Sequence, residues 1–275
     1  MDCTLCCEET LTLDKAGKQY WDKAWGTYDI PKEVNPRHGG LPNYVNRRFH
    51  EYFCQIFSNM NTHGKKVLEI GCARSVWLPY FAKEFGFKIY GIDYSEIGCQ
   101  QAMQILSNEE VKGEIVCADF FSPPGSTLKA FDVVVSFGVL EHFKDTTACI
   151  AAFSKFLKPG GLLITNIPNL CGLNGLIQKM INRPIFDIHV PLNRNALMQA
   201  HRINGLRVIS CDYFLFVNLG VLNFENLKGG LFYKGASRLR SLINKVAWVC
   251  ERAIPIMLKP NRWSSPYINC MAVKE

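Results

Sequence analysis

The residues with most to offer chemically are one acidic–glycine run, two aspartates beyond it, and two histidines. Glu69-Ile70-Gly71-Cys72-Ala73-Arg74-Ser75 follows the strand formers Val67 and Leu68. It precedes a helical stretch, 76–85, that Ser75 can cap and Gly86 ends. A strand entering a glycine turn and then a helix offers backbone amides to a nucleotide. Asp93 lies 22 residues beyond Gly71, where a carboxylate can accept hydrogen bonds from both ribose hydroxyls. A pyrophosphate-bearing dinucleotide wants Gly-x-Gly-x-x-Gly, whereas this turn reads Gly-Cys-Ala-Arg-Ser-Val. An adenosyl ligand without phosphates demands less of the second and third glycine positions. His142 and His189 are the candidate bases, because imidazole titrates near neutrality, as proton removal from an alcohol or phenol requires.

These groups need a scaffold, and the chain supplies an alternating one. A helical period from Asn43 places Val45, Phe49, Tyr52, Phe53, Ile56, Phe57 and Met60 on one face. Strands are expected at 66–70, 87–93, 114–118, 131–136 and 162–167, with helices at 95–106 and 145–157 between them. The fourth strand is too uniformly apolar to have a solvated face. Such alternation calls for an α/β fold: a Rossmann-like, mostly parallel, seven-stranded sheet with helices on both faces. Residues 1–63 read as an N-terminal cap and helical segment, and 64–275 as the main domain. Residues 1–42 look irregular, with Tyr20-Trp21-Asp22-Lys23-Ala24-Trp25 as their dense aromatic cluster. A looser insertion at about 168–200 suits a substrate-facing cap. A helix at 197–204, a sixth strand at 206–216 and a last strand at 267–273 complete the pattern.

With 48% hydrophobic and 20% charged residues, the chain has the composition of a globular protein, and no run is apolar enough to span a bilayer. No basic segment followed by an apolar run opens it, so a cytoplasmic protein without a signal peptide is expected. The 12 cysteines are scattered, which fits reduced, buried thiols; Cys3, Cys6 and Cys7 alone have metal-like spacing, without a second pair to close a site. The net charge of +7 is concentrated within 228–262, where Lys228, Lys234, Arg238, Arg240, Lys245, Arg252, Lys259 and Arg262 face only Glu251. Residues 231–254 read as an amphipathic surface helix with Leu239, Leu242, Ile243, Val246, Val249, Cys250, Ala253 and Ile254 in one stripe. A basic helix of this kind suits peripheral contact with an anionic membrane or a phosphate-bearing substrate. Nothing beside it resembles an RNA-binding appendage.

Taken together, the motifs resemble those of the class I S-adenosylmethionine-dependent methyltransferases. Val67-Leu68-Glu69-Ile70-Gly71 is similar to the family's first motif. Ala118-Asp119-Phe120 is similar to the motif whose aspartate meets the adenine amino group, with an apolar neighbour on the ring. Phe131-Asp132-Val133-Val134-Val135-Ser136-Phe137-Gly138-Val139-Leu140-Glu141-His142 resembles the fourth-strand motif beneath the methionine portion, and Lys158-Pro159-Gly160-Gly161 the turn before the fifth strand. Ala73 and Ser75 stand where the family usually has further glycines.

The resemblance implies S-adenosyl-L-methionine as cofactor. Its contacts would be Tyr20, Trp21, Glu69, Gly71, Cys72, Ala73, Asp93, Tyr94, Asp119, Phe120, Phe137 and Gly138. Tyr20-Trp21 resembles an N-terminal element that closes over the cofactor in related enzymes. His142 and His189 are the base or acceptor contacts it implies. Quinone-pathway relatives carry Glu-x-x-Glu-His in the fourth motif and can hold a metal; Gly138 replaces the first Glu here, so no metal is expected. The implied reaction is methyl transfer, preferably to oxygen, of a small-molecule, glycan or lipid-linked acceptor. The alternatives are a degenerate methyltransferase-fold binding subunit and a nucleotide-dependent oxidoreductase.

Overall fold

The run Phe131–Phe137 is apolar along almost its whole length because both of its faces are covered. Val134 packs on one side with Leu68, Ile70 and Leu163, whereas Val133 and Val135 pack on the other with Val67, Leu162 and Ile164. This alternation, set by the two-residue period of a strand, creates two cores from one sheet. The computed structural model describes residues 14–227, 231–254 and 257–275; Cys3, Cys6, Cys7 and Lys228 lie outside the described residues.

The strands are β1 (Lys66–Ile70), β2 (Lys88–Asp93), β3 (Gly113–Cys117), β4 (Phe131–Phe137), β5 (Leu157–Pro168), β6 (Leu206–Phe214) and β7 (Tyr267–Lys274). They form one sheet in the order β3-β2-β1-β4-β5-β7-β6, parallel from β3 through β5, with β7 antiparallel between β5 and β6. The order reverses beside β1, whose neighbours are β2 and β4, so the chain leaves β1 and β4 in opposite directions and opens a crevice at their carboxyl ends. The helices are α1 (Lys18–Thr27), α2 (Tyr44–Phe57), α3 (Trp77–Phe85), α4 (Glu96–Asn108), α5 (Thr146–Phe156), α6 (Leu173–Ile181), α7 (Arg183–Asp187), α8 (Arg194–Ile203) and α9 (Leu231–Ala253). Phe49, Phe53 and Phe57 of α2 pack with Leu78 and Phe81 of α3 on one face; Ile150, Phe153 and Phe156 of α5 pack with Leu197 of α8 on the other.

The expected α/β architecture is therefore present, with local differences that have physical causes. The sixth strand stops at Phe214 because Leu215 takes a left-handed φ of 63°. Lys158–Gly161 does not precede β5 but bulges from it, since Phe131 pairs with Leu157 and Val133 already with Leu162. The aromatic cluster at 20–25 is not irregular: it lies on α1, a helix with no buried residue and no side-chain cap, hence without the usual signs of one. α9 is the larger surprise. An amphipathic surface helix ordinarily turns its apolar stripe inward. Here Leu239, Leu242, Ile243, Val246 and Val249 face outward, and Asn244, Trp248 and Glu251 are the buried side.

Candidate active site

The turn after β1 is shaped by constraints on its backbone. Gly71 has φ 76°, a region unfavourable to side chains, and a Cβ there would lie 2.3 Å from Val139 Cγ2. Its amide donates to the Ile92 carbonyl at 2.9 Å, tying the turn to the end of β2. Glu69 does not reach the crevice. It is buried behind the turn, accepts a hydrogen bond from the Ser75 hydroxyl, and is pushed by burial to a pKa of about 8. Ser75 Oγ in turn accepts from the amides of Trp77 at 3.1 Å and Leu78 at 3.2 Å, so one hydroxyl links the acidic residue to the start of α3. Cys72 is wholly buried as well, its thiol occupying the space left by Gly91, where a Cβ would come within 2.6 Å of the sulfur.

Ala73 stands in the position of an expected glycine, and its methyl group is accommodated from the far side. A Cβ on Gly98 of α4 would lie 2.5 Å from the Ala73 Cβ, so the missing glycine of the turn is compensated by a glycine in the helix opposite. The Ala73 amide donates to Asp93 Oδ2 at 3.0 Å and the Ser95 amide to Asp93 Oδ1 at 2.8 Å. These bonds hold the Asp93 carboxylate at the strand end. Burial still raises its pKa, to about 6, with the backbone donors opposing the rise. A carboxylate has about four lone-pair sites, so the two amides leave capacity for a ribose.

The segment before α2 closes over this crevice. Asp14 forms an antiparallel bridge with Phe143, and the Lys15 amide donates to the His142 carbonyl at 2.8 Å. On α1, Asp22 accepts from Ser95 Oγ at 2.6 Å, and the Trp25 carbonyl accepts from Gln101 Nε2 at 2.9 Å. The Arg74 guanidinium lies 5.5 Å from the Trp25 ring centre and 5.0 Å from that of Tyr28. Tyr94 donates its hydroxyl hydrogen bond to Asp14, and burial beside that carboxylate pushes its pKa far up, so it stays a neutral donor.

Two adjoining pockets result. The inner one is lined by Gly71, Ala73, Ile92, Asp93, Tyr94, Phe120, Phe137, Gly138, Val139 and Phe143, and is roofed by Asp14, Trp21, Trp25 and His142. The outer one joins Tyr20 and Tyr28 of the N-terminal helix region to Leu170, Ile185, Ile188, His189, Val221 and Leu222. Trp21, Trp25 and His142 line both. Most of the residues expected at the cofactor thus meet in the inner pocket, and Tyr20 and His189 lie in the outer one. Glu69, Cys72 and Asp119 line neither; Asp119 is exposed and accepts from the Phe121 amide at 2.9 Å. Asp14, Ile92 and Phe143 carry no sequence signal for their place here, whereas Val139 belonged to the fourth-strand motif and Trp25 to the aromatic cluster.

The histidines form the junction. His142 stands in the short turn Leu140–His142 after β4, with the edge of Trp21 against it at a centroid distance of 4.9 Å and 83° between planes. His189 lies 4.5 Å from His142, centroid to centroid. His142 Nδ1 bonds to the Ile188 carbonyl at 3.1 Å, and His189 Nδ1 to the Ile185 carbonyl at 2.6 Å. A carbonyl only accepts, so each Nδ1 carries the proton and each Nε2 presents a lone pair. Burial lowers both pKa values, that of His142 to about 3, with the neighbouring His189 adding to the fall. Glu141 is also buried, raised by burial to a pKa of about 8, and its Oε2 has no hydrogen-bond partner among the described residues. One ligand atom from each of Glu141, His142 and His189 lies within 4.8 Å of the others, so these three could hold a cation. The expectation of no metal rested on Glu141-His142 as a pair; folding supplies His189 as a third donor.

A family model described as a methyltransferase domain matches residues 40–210, more than half of the chain. The chain belongs to the class I S-adenosylmethionine-dependent methyltransferases. It is an S-adenosyl-L-methionine-dependent methyltransferase. Among its relatives is the ubiquinone biosynthesis O-methyltransferase of Pseudomonas entomophila (strain L48), 26% identical over 210 residues that cover 73% of this chain and 83% of that one. The protein of the same name from Pseudomonas fluorescens (strain Pf0-1) is 28% identical over 210 residues, with the same coverage. The fold is shared with geranyl diphosphate C-methyltransferase from Streptomyces coelicolor A3(2), solved with S-adenosyl-L-homocysteine. The TM-score is 0.57 at 13% identity, covering 100% of both chains. It is also shared with magnesium protoporphyrin IX methyltransferase from Synechocystis PCC 6803, with a TM-score of 0.56 at 13% identity, over 95% of this chain and 97% of that one. The acceptors named for those two differ in kind, so the fold does not choose the acceptor.

Proposed function

We propose that this methyltransferase methylates a hydroxyl of an apolar small molecule, with an aromatic or lipid-linked body held in the outer pocket. The observation that carries the reading is the shared wall: Trp21 and His142 line both pockets, so an acceptor in the outer one reaches the inner one beside two imidazole lone pairs. When bound, S-adenosyl-L-methionine supplies a methyl group activated by its sulfonium. Asp93 would accept from the ribose hydroxyls, Ile92 and Phe120 would flank the adenine, and Gly138 would leave room for the methionine portion. His189 Nε2 would take the acceptor's proton; its pKa is lowered less than that of His142, which makes it the better base. Trp21 and Trp25 would exclude water from the transfer.

The polarity of the outer pocket favours this acceptor over a glycan. Its amide side chains are already engaged: Gln178 Oε1 accepts from the Asn223 amide at 2.8 Å, and Asn174 Nδ2 donates to the Asn218 carbonyl at 3.5 Å. A sugar would find few unused partners there. A second reading has its own observation, the unpartnered Glu141 Oε2 beside two imidazoles. Glu141, His142 and His189 would then hold a divalent cation, which when bound supplies a Lewis acid for the acceptor hydroxyl.

Incubation with methyl-labelled cofactor and a panel of phenols, alcohols, amines and glycans tests the proposal. Label in the ether of an apolar phenol or alcohol is expected. Label only in an amine or glycan, or no transfer to any class, would overturn it. Retention of activity after exhaustive chelation decides between the free imidazole base and the cation.

A further inference from the structure

The outward stripe of α9 is an apolar feature that methyl transfer leaves unused. Leu239 is 58% exposed, Leu242 59%, Ile243 40%, Val246 55% and Val249 52%, and Ile254 just beyond the helix 44%. Helical projection places these six on one side, with Lys234, Arg238, Lys245 and Arg252 in a row along one edge. The opposite side is the one fastened to the protein. Asn244 Oδ1 accepts from the Leu219 amide at 2.8 Å, Trp248 Nε1 donates to the Val217 carbonyl at 2.9 Å, and Glu251 pairs with Arg48 at 2.7 Å. Trp248 also stacks on Tyr44, with ring centres 5.2 Å apart. The helix is thus locked by its polar side, and rotating the stripe inward would break each of these bonds.

We infer that α9 docks this protein on an anionic lipid surface, lying in the plane of the headgroups with its aliphatic stripe inserted and its basic row on the phosphates. No described helix is long and apolar enough to cross a membrane, so α9 lies on the bilayer rather than through it. Charge chooses this occupant over a second copy of the chain. The helix's acidic residue, Glu251, is buried against Arg48 and does not offset the exposed basic row. An antiparallel pairing of two stripes would bring basic row against basic row. Phosphate headgroups complement that row, and the long basic side chains can keep their charges at the headgroup level while the stripe enters the acyl boundary.

The placement also suits the outer pocket. The Val217 and Leu222 carbonyls accept hydrogen bonds from Trp248 and Arg240 of α9, the Leu219 amide donates one to Asn244, and Leu222 itself lines that pocket, with Arg240 at 3.3 Å from its carbonyl. A docked helix would bring the pocket wall to the lipid, where a lipid-linked acceptor is found. This last consequence rests on the outer pocket as the acceptor site; docking itself does not.

Flotation of the full chain with phosphatidylcholine vesicles, with and without phosphatidylglycerol, tests the inference without reference to activity. Binding is expected to the anionic vesicles at low salt and to weaken as salt screens the charges. The exposed triple change Leu242→Ser, Val246→Ser and Val249→Ser is expected to weaken it roughly tenfold or more. Arg238→Gln and Lys245→Gln are expected to weaken it roughly fivefold each. All variants should melt with the wild type, because these side chains are exposed. Absence of the wild type from anionic vesicles overturns the inference, as does a triple variant that binds as well as the wild type. A wild-type dimer in sedimentation that the triple change dissociates, without vesicle binding, overturns it in favour of a second copy. Vesicle binding without methylation of any apolar acceptor would leave docking standing and remove the acceptor reading alone.

Discussion

The inner and outer pockets share a wall but are built in different ways. The inner pocket is made from strand ends and the turns that leave them: Gly71 after β1, Asp93 at the end of β2 and Gly138 after β4. Backbone geometry fixes these places, since a positive φ or a parallel register leaves a residue little choice of position. The outer pocket collects side chains from α1, from the turn after β4, from α6 and α7, and from 221–223. The first construction suits a ligand common to a whole family. The second suits an acceptor that changes from one member to the next.

If that division is right, substitutions in the two pockets should separate cofactor affinity from turnover. The largest separation is expected from His189→Gln. The rate of methyl transfer should fall roughly 10²–10⁴-fold while S-adenosylhomocysteine binds as before, measured by single-turnover assay and calorimetry. In the wild type the acid limb of the rate profile should lie below the ordinary histidine value of 6.5, because burial lowers this imidazole's pKa. Equal losses of rate and cofactor affinity would break the division. In the other direction, Gly71→Ala places a methyl group 2.3 Å from Val139 Cγ2 at a φ of 76°. S-adenosylhomocysteine affinity should fall tenfold or more, with a loss of about 1–3 kcal/mol in stability to chemical denaturation.

Trp21→Ala sharpens the comparison, since Trp21 belongs to both pockets. It should weaken the cofactor and raise the acceptor KM together, each by roughly tenfold. The smallest effect concerns Glu69, behind both pockets. Its pKa rises from 4.5 in the unfolded chain to about 8 in the folded protein. The folded state therefore holds a proton that the unfolded state has released, and stability falls as pH rises through this window. Glu69→Gln should flatten the fall in melting temperature between about pH 4.5 and about pH 8, read by calorimetric scans. Glu141, also raised to about 8, leaves part of the slope in place. An unchanged slope would mean that Glu69 is ionised within the fold.

The same division describes what could be read from the sequence. Gly71, Asp93, Phe120 and Gly138 were legible because each sits at a strand end whose position the alternating pattern already dictates. His189 could be named but not paired with His142, 47 positions earlier, because that meeting depends on how 183–191 folds back. Asp14 was illegible for the same reason, its bridge to Phe143 being a tertiary event. Asp119 had the motif, yet it is exposed and lines neither pocket, with one of its carboxylate oxygens accepting from the Phe121 amide. In α9 the hydrophobic period was right, yet period fixes which residues share a side and not which side is buried. Trp248, Asn244 and Glu251 decide that through bonds to segments far away in the chain.

The central claim is that Asp93 and the Gly71 turn hold an adenosyl cofactor, and calorimetric titration with S-adenosylhomocysteine tests it most directly. The wild type should bind one equivalent and give no heat with NAD, and Asp93→Ala should weaken binding roughly ten- to a hundredfold. Wild-type protein that takes up NAD and ignores S-adenosylhomocysteine, or an Asp93→Ala variant that binds as tightly as the wild type, would contradict it.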